Sequence, residues 1–573
     1  MDKNPNVPQL FRNIFKNAYL PYRDPETLKS FLAIIDEFKY DHSERLGDAF
    51  EYLLSALDSQ GELGQFRTPR HIIDFLVEIV DPQKSDKILD PACGTAGFLI
   101  SAYKHILKSN SKKPTDLSGD KLSSDDRARL VKNISGYDIS PDMIRLSLVN
   151  LYLHGFQDPR IAEYDTLTSE ERWDEFADVI LANPPFMTPK GGINPHKRFS
   201  VQSRRSEVLF LDYIIEHLTP TGKAGVVVPE GIHFVAQSSY TQLRRTLIEK
   251  GFLLADITLP HGVFKPYASV KTHILLIDRV LARQSKSVLF IEIENDGFSQ
   301  SDTREPMAGS QLTQAKDCVF SFKSAVKGSQ PWKHPISGIR AYEITKETLL
   351  SNEKAHLLGR WHDVSNRVVH RKDVPLMRLG DLCDIKDGLS PNMATPPGEF
   401  VLVVPAEERK TADHWDFEGN AVCIPLVSAA GHGKADIKRI HYQEGKFALA
   451  STMCALFVKD EKVLRPRYLH IFLNAMCTEI LVPLMAGATN ITMNSEQLKD
   501  VMIPIPKPTL QDEVIESHVI STKATAMIDA AKSLRDSSSD TEIVRVAERL
   551  IHETEALLKV SKKRATISIF LPS

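Results

Sequence analysis

Apolar positions near the start of the chain recur at helical spacing: Leu28, Phe31, Leu32, Ile35 and Phe38, then Leu46, Ala49, Phe50, Leu53, Leu54 and Leu57. A three-to-four residue period predicts amphipathic helices, each with one buried stripe. A polar loop, GELGQFRTPR (61–70), follows, and then a helix from about Arg70 to Ile79. Beyond it short apolar runs alternate with amphipathic segments. KILD (87–90), ISGYD (134–138), DVILANPP (178–185, with its exit loop) and KAGVVVPEG (223–231) read as strands. AGFLISAYKHIL (96–107), PDMIRLSLVNLYLHG (141–155) and SEVLFLDYIIEHL (206–218) read as helices. Repeated strand–helix alternation predicts an α/β fold with a Rossmann-like, doubly wound, mostly parallel sheet. The polar stretch 109–126 is expected to be a surface insertion between the first helix and the second strand.

The pattern changes after about residue 330. Residues 375–510 carry many short apolar runs between Gly, Pro and charged turns, among them FVLVVP, AVCIPLVS and VMIPIP, which predicts a β-rich domain. From Gln511 the chain is helical again. Val544, Ala547, Leu550, Ile551, Thr554, Leu557 and Leu558 form one stripe, and Ile515, Val519, Ala526 and Leu534 a looser one. Such a helical pair either packs on the β-rich domain or forms a coiled-coil spacer and dimer contact. The expected divisions are a helical region 1–65, a catalytic domain 66–330, a linker 331–374, a β-rich domain 375–510 and helices 511–573.

Length and charge narrow the class. The chain has 573 residues, enough for about three domains. Its 71 basic and 74 acidic residues leave a net charge of −3, which excludes a supercharged basic chain but not a local groove for nucleic acid. The six cysteines form no CxxC pair, so neither a zinc site nor a disulfide framework is expected and a reducing compartment is. The start MDKNPNVPQLFRN has no signal-peptide pattern. No apolar run approaches the ~18 residues of a membrane span. A cytoplasmic protein without membrane contact is expected.

The segment Asp90–Phe98, DPACGTAGF, follows a predicted strand and opens a helix. Its glycines let the backbone turn sharply and approach a ligand. Strand two then ends in Asp138. In nucleotide-binding doubly wound folds an acid at this tip accepts from ribose hydroxyls; as a plain alternative it caps the following helix. Asp165 stands near the expected end of strand three, as a site acid or as a turn residue. Neither GxGxxG nor GxxxxGK[ST] is present, so neither a dinucleotide nor a triphosphate is favoured.

Asn183-Pro184-Pro185-Phe186 closes strand four. Two prolines remove two donors and fix two φ angles. The stiff loop leaves the Asn183 side-chain oxygen and the Pro184 carbonyl as acceptors. An exocyclic amine on a heteroaromatic ring is a poor nucleophile because its lone pair is delocalised. Two acceptors gripping its hydrogens localise that lone pair for attack on a sulfonium methyl, while Phe186 stacks on the flat base. Positioning and electrostatics carry such a reaction without a metal.

DPACGTAGF, GYD and NPPF in this order resemble the amino-methylating DNA methyltransferases that use S-adenosylmethionine, and within them the modification subunit of type I restriction–modification systems. LGDAFEYLL (46–54), GQFRTPR (64–70), VVVPEGIHF (226–234) and LPHGVFKPYASVKTHILLI (259–277) resemble it too. The resemblance spans roughly residues 1–330. It implies that Gln65, Phe66, Thr68 and Pro69 of the QFRTPR loop hold the cofactor with Asp90, Gly94, Thr95, Ala96, Gly97 and Asp138. It implies that Asp165 borders the methyl donor and that Asn183, Pro184, Pro185 and Phe186 hold adenine. Asp138 stands where these subunits usually have Glu, and Arg67 where an aromatic or apolar residue is common. The target lies inside a duplex, so the base must be extruded. HKRFSVQSRR (196–205), with five basic residues, is a candidate contact for DNA phosphates.

Residues 375–510 and the IPIPKPTLQDE step into a helix resemble one target-recognition domain of a type I specificity subunit and its spacer. The expectation is sequence-specific adenine-N6 methylation of double-stranded DNA, with pairing into a homodimer through the terminal helices and a separate restriction subunit as a possible partner. Cytosine-N4 or glutamine-amide methylation, or a DNA-binding regulator with an inactive methyltransferase domain, are the competing readings. Gly431, His432 and Gly433 form a flexible loop that is either a DNA contact or a surface turn. Asp24, Glu37 and Lys39 imitate a nuclease triad, but fall on or beside a predicted helix instead of adjacent strands.

Overall fold

The computed structural model describes residues 4–16, 24–37, 43–59, 67–113, 116–186, 188–189, 191–265, 270–301, 303–334, 336–351, 353–362, 374–429, 435–487, 491–537 and parts of 545–555. They fall into two compact units, Met1–Gly359 and Arg360–Ser573.

The first unit is built on nine strands: β1 (Ile88–Asp90), β2 (Ile134–Asp138), β3 (Arg160–Glu163), β4 (Ala177–Ala182), β5 (Leu218–Pro229), β6 (Leu253–Thr258), β7 (Thr272–Asp278), β8 (Ser287–Glu292) and β9 (Arg340–Thr345). Their order is β3-β2-β1-β4-β5-β7-β6-β8-β9. β1 through β5 are parallel; β7 runs antiparallel between β5 and β6, and β9 is an antiparallel edge. The apolar runs are continuous because both faces are covered. Along β4, Val179 and Leu181 enter one core and Ile180 and Ala182 the other. The chain goes outward from β1 to β3, then returns to place β4 on the other side of β1. Ligands bind at such a switch point, beyond the carboxyl ends of the strands.

Helices α1 (Gln9–Ile14), α2 (Pro25–Glu37) and α3 (Ser43–Ser59) precede the sheet. α4 (Arg70–Val80), α5 (Gly97–Ser109), α6 (Ser124–Asn133), α7 (Pro141–Leu153), α8 (Ser206–His217), α9 (Gly231–Phe234) and α10 (Ser238–Glu249) accompany its strands. Three expectations change. The stretch 109–126 was expected to be an insertion alone, but α6 starts inside it on a capping box in which Ser123 Oγ accepts from Asp126 N and Asp126 answers Ser123 N. α6 buries only Leu130, so no stripe betrayed it. Residues 340–345, expected in a linker, instead pair with β8 over six positions as β9. The stripe of α2 is not buried: Phe31, Leu32 and Ile35 stay exposed. Asp24 accepts from Thr27 N and Oγ1 as the cap of that helix, and Lys39 lies outside the described residues, as do Gly431, His432 and Gly433.

The second unit holds a four-stranded antiparallel sheet in the order Cys383–Asp387, Met453–Val458, Ala421–Pro425, His441–Gln443. A second four-stranded sheet runs Lys410–Ala412, Phe400–Val403, Lys446–Leu449, Phe417–Glu418. Strand Met453–Val458 separates two cores, sending Cys454 and Leu456 to one and Met453 and Ala455 to the other. A helix of 30 residues, Pro508–Ser537, leaves this unit. Buried Gln511 fastens its start, donating to the carbonyls of Val463 and Pro506 and accepting from Arg465 N, all at 2.8 Å. Further along, Ile528 and Ala531 close on Ile551. Among the described residues no helix is long and apolar enough to cross a membrane.

Candidate functional site

Strand β1 ends in Asp90, which is buried, with Oδ1 accepting from Ala92 N at 3.0 Å. Burial pushes its carboxyl up to about 8, against the pull of that bond. The loop then lies flat on β2. Cys93 N donates to the Tyr137 carbonyl at 2.8 Å and Gly94 N to Asp138 Oδ2 at 3.0 Å. The close approach requires glycine at 136, where a Cβ would sit 2.9 Å from that of Cys93. Ala96, at φ 66°, turns the chain into α5, and Asn150 of α7 donates to the Thr95 carbonyl at 2.8 Å.

Asp138 is not the cap of α7. That place belongs to Ser140, whose hydroxyl accepts from Met143 N. Asp138 accepts instead from Gly94 N and from Ser140 N at 2.8 Å, and burial raises its carboxyl. Asp165 follows β3 by two residues and accepts from Leu167 N, Thr168 N and the Thr168 hydroxyl within its own turn. Neighbouring Thr166 donates to the Pro91 carbonyl at 2.8 Å, which sets this turn against the Asp90 loop.

Asn183 leaves the end of β4. Its Nδ2 donates to Thr68 Oγ1 at 2.8 Å, while its Oδ1 is buried and has no hydrogen-bond partner. An unmet buried acceptor costs about 1–3 kcal/mol. Pro184 is buried, Pro185 is exposed, and the Pro185 carbonyl accepts from Ser206 Oγ at 3.0 Å, tying the loop to α8. Half-buried Phe186 meets Phe264 edge-on at 6.2 Å. Thr68 and Pro69 sit just before α4. Arg70, in its first turn, pairs with Glu51 of α3 at 2.6 Å and with Asp74, which also accepts from Ser101 of α5. α3 can lie this close because position 47 is glycine; a Cβ there would stand 2.7 Å from the His154 ring. Asp90–Gly97, Asp138, the Asp165 turn, Asn183–Phe186 and Thr68–Pro69 thus gather at the carboxyl ends of β1 to β4. Gln65 and Phe66 lie outside the described residues.

The sequence reading missed a buried network at the ends of β5, β6 and β7. Asp256 accepts from His233 Nε2 at 2.6 Å and His273 Nδ1 at 2.7 Å, with Glu230 3.6 Å from His273. Burial alone would raise the Asp256 carboxyl, but the two imidazoles outweigh it and hold the group far below the usual range. The available signal was an ionisable residue, Asp256 or His273, inside each of two largely apolar, buried strands, LLADIT and THILLID. The basic stretch 196–205 divides. His196 is buried against Trp173 and Phe199, and Arg198 pairs with Asp174 at 2.6 Å. Arg204 and Arg205 are exposed beside a groove of about 880 Å³ that includes Gly192, Asn194 and Gln202.

A doubly wound sheet with β7 inserted antiparallel and a backbone loop lying over β2 defines an S-adenosylmethionine-dependent methyltransferase fold. The N-6 DNA Methylase family model matches residues 41–348, and the chain belongs to that family. Residues 371–517 match the type I restriction modification DNA specificity domain. The chain is similar to the type I restriction enzyme EcoEI methylase subunit of Escherichia coli, at 32% identity over 60% of this chain and 69% of that protein. It is also similar to the StySPI methylase subunit of Salmonella potsdam, at 31% over 47% and 52%. A chain from a solved type I R-M system superposes with TM-score 0.52 at 28% identity, over 60% of this chain and 70% of the other. The chain therefore spans between about half and seven-tenths of the length of these relatives.

Gly136→Val should force the Cys93 loop off β2. Overpacking of this kind costs about 1–3 kcal/mol; the expected result is a lower denaturation midpoint at unchanged far-UV circular dichroism. A midpoint equal to the parent's would mean that the loop does not need the contact.

Proposed function

We propose that this chain transfers a methyl group to the N6 amine of adenine at specific sites in duplex DNA, with the first unit carrying the chemistry and the second reading the sequence. The observation that carries the reading is the buried, unpartnered Asn183 Oδ1 on a proline-stiffened strand end. That atom is an acceptor awaiting a donor. In this reading Asn183 Oδ1 and the Pro184 carbonyl take the two hydrogens of the target amine, and Phe186 stacks on the extruded base. S-adenosylmethionine, when bound, supplies the methyl group from a sulfonium. The donor set at the loop suits it: the Asp90 carboxyl for its cationic amine, Asp138 for its ribose hydroxyls, and the turn of Gly94 to Gly97 for close backbone approach. The oxygens of Asp165 are engaged locally, and its part is to hold Thr166 on Pro91. Thr68 and Pro69 border the same space. Exposed Arg204 and Arg205 are placed to meet phosphates beside the flipped base.

The second unit supplies half of a two-domain reader, which favours pairing of two copies. Val519, Ile520, Met527 and Leu534 leave an apolar face exposed on helix Pro508–Ser537, and we assign the homodimer contact to it. A cleaving subunit would be a separate polypeptide. Six buried free cysteines fit the reducing cytoplasm.

Incubation with labelled S-adenosylmethionine and unmethylated duplex DNA, followed by digestion to nucleosides, should yield N6-methyladenine. N4-methylcytosine, or no label, would overturn the reading. Asn183→Ala should lower turnover by about 10²–10³-fold and leave cofactor affinity unchanged in calorimetry. Cofactor affinity should rise between pH 6 and 8, because a cationic ligand favours the ionised form of Asp90, whose carboxyl is raised to about 8. Asp90→Asn should flatten that profile; a slope that survives the substitution belongs to another group. Val519→Glu with Met527→Glu should halve the mass seen by light scattering, and an unaltered mass would remove the pairing role.

A further inference from the structure

An amide side chain offers an acceptor oxygen on one side and a donor nitrogen on the other, and a half-turn exchanges them. Which one meets a ligand decides whether a pocket takes an amine or a carbonyl. Asn183 has its nitrogen engaged by Thr68 Oγ1 at 2.8 Å and its oxygen buried and unmet. The reverse orientation would bury an amide nitrogen with both N–H groups toward the pocket. Orphaned donors are rarer in proteins than under-satisfied carbonyls, which can lose one of two lone pairs. Thr68 is itself held in place. Pro69, next to it, accepts from Ile72 N and Ile73 N at the start of α4, and Arg70 is pinned by Glu51 and Asp74.

We propose that Thr68 is a positioning residue that accepts from the Asn183 amide nitrogen, the orientation that buries no free N–H, and so holds the amide oxygen toward the base, so that the pocket favours an exocyclic amine over a ring carbonyl. The proposal rests on the reading of Asn183 as the acceptor of the target amine. It shifts the main task of Thr68 from contact with the cofactor to work through another side chain. A hydroxyl in the same place as a contact to the cofactor alone would change cofactor affinity first; a hydroxyl that orients Asn183 changes the rate first.

The test compares the parent, Thr68→Val, Thr68→Ser and Asn183→Ala on unmethylated plasmid DNA with labelled S-adenosylmethionine, with cofactor affinity measured by calorimetry and folding by thermal melting. Valine keeps the shape of threonine and removes the hydroxyl; serine keeps the hydroxyl. Thr68→Val should lower kcat by about 10²-fold, the scale set by small misplacement of a reacting group, with cofactor Kd unchanged. Thr68→Ser should return kcat to near the parent's. The proposal is overturned if Thr68→Val keeps the parental kcat, if its loss of rate equals its loss of cofactor affinity, or if Thr68→Ser is as slow as Thr68→Val. An inactive Asn183→Ala beside a normal Thr68→Val sinks the Thr68 role alone. A fully active Asn183→Ala sinks the acceptor reading itself.

Discussion

One hydrogen bond joins the two halves of the pocket: Asn183 Nδ2 to Thr68 Oγ1, across 115 residues of sequence. It works because the segment just before α4 lies beside the loop that leaves β4. Other contacts brace both ends of that bond. On the Thr68 side, Glu51 and Asp74 fix Arg70, and Gly47 lets α3 reach the His154 ring. On the Asn183 side, two prolines stiffen the exit and Ser206 holds the Pro185 carbonyl. The N-terminal helices are thus part of the pocket's support, and the LGDAFEYLL segment has a geometric reason to carry glycine, aspartate and glutamate at 47, 48 and 51: Lys104 of α5 completes the set through Asp48.

How far the sequence disclosed this depended on how local each signal was. Ile134–Asp138 appears as a strand with the bounds read from ISGYD, because a polar stretch precedes it and a Ser-Pro helix start follows it at once. β9 escaped notice since an edge strand buries little, and Ala341 and Ile344 are too few to stand out. α6 escaped for the opposite reason, being polar around nearly all of its circumference. Asp138 could be read as a ribose acceptor or as a helix cap, and only the geometry shows that Ser140 caps while Asp138 reaches back to Gly94. The His233–Asp256–His273 network was illegible because its members come from three elements, and nothing in their spacing says that they meet.

Geometry also removes chemistry that a list of neighbours suggests. In the second unit Ser390 Oγ lies 2.9 Å from His414 Nε2, and His414 Nδ1 lies 2.7 Å from Asp413 Oδ1, the outline of a hydrolytic triad. Proton counting excludes it. Ser390 has one proton and gives it to Asp416 Oδ2 at 2.8 Å. His414 is then placed to donate from Nε2 as well as from Nδ1, the charged form that its bond to Asp413 favours. A protonated histidine cannot act as a base, and Ser390 is buried. The cluster fastens the loop before Phe400 to the strand Lys446–Leu449, where Asp416 also accepts from Leu449 N.

The same counting explains why the site keeps its unmet groups. Asp90 and Asp138 both have raised carboxyls because burial disfavours their charge, and Asn183 Oδ1 sits without a donor. The Asn183 oxygen departs from what folding alone would select, since buried polar groups are as a rule satisfied, as Asp90 and Asp138 are by backbone N–H groups. All three lie at the carboxyl ends of the strands, away from the opposite end of the sheet. There the buried Lys323 donates to the Ile79 carbonyl and Asp278 caps its helix through Val280 N and Leu281 N. Gathered at one place, two raised carboxyls and one unmet amide oxygen are the groups that the function proposed above calls on, set in position by the fold before any ligand binds.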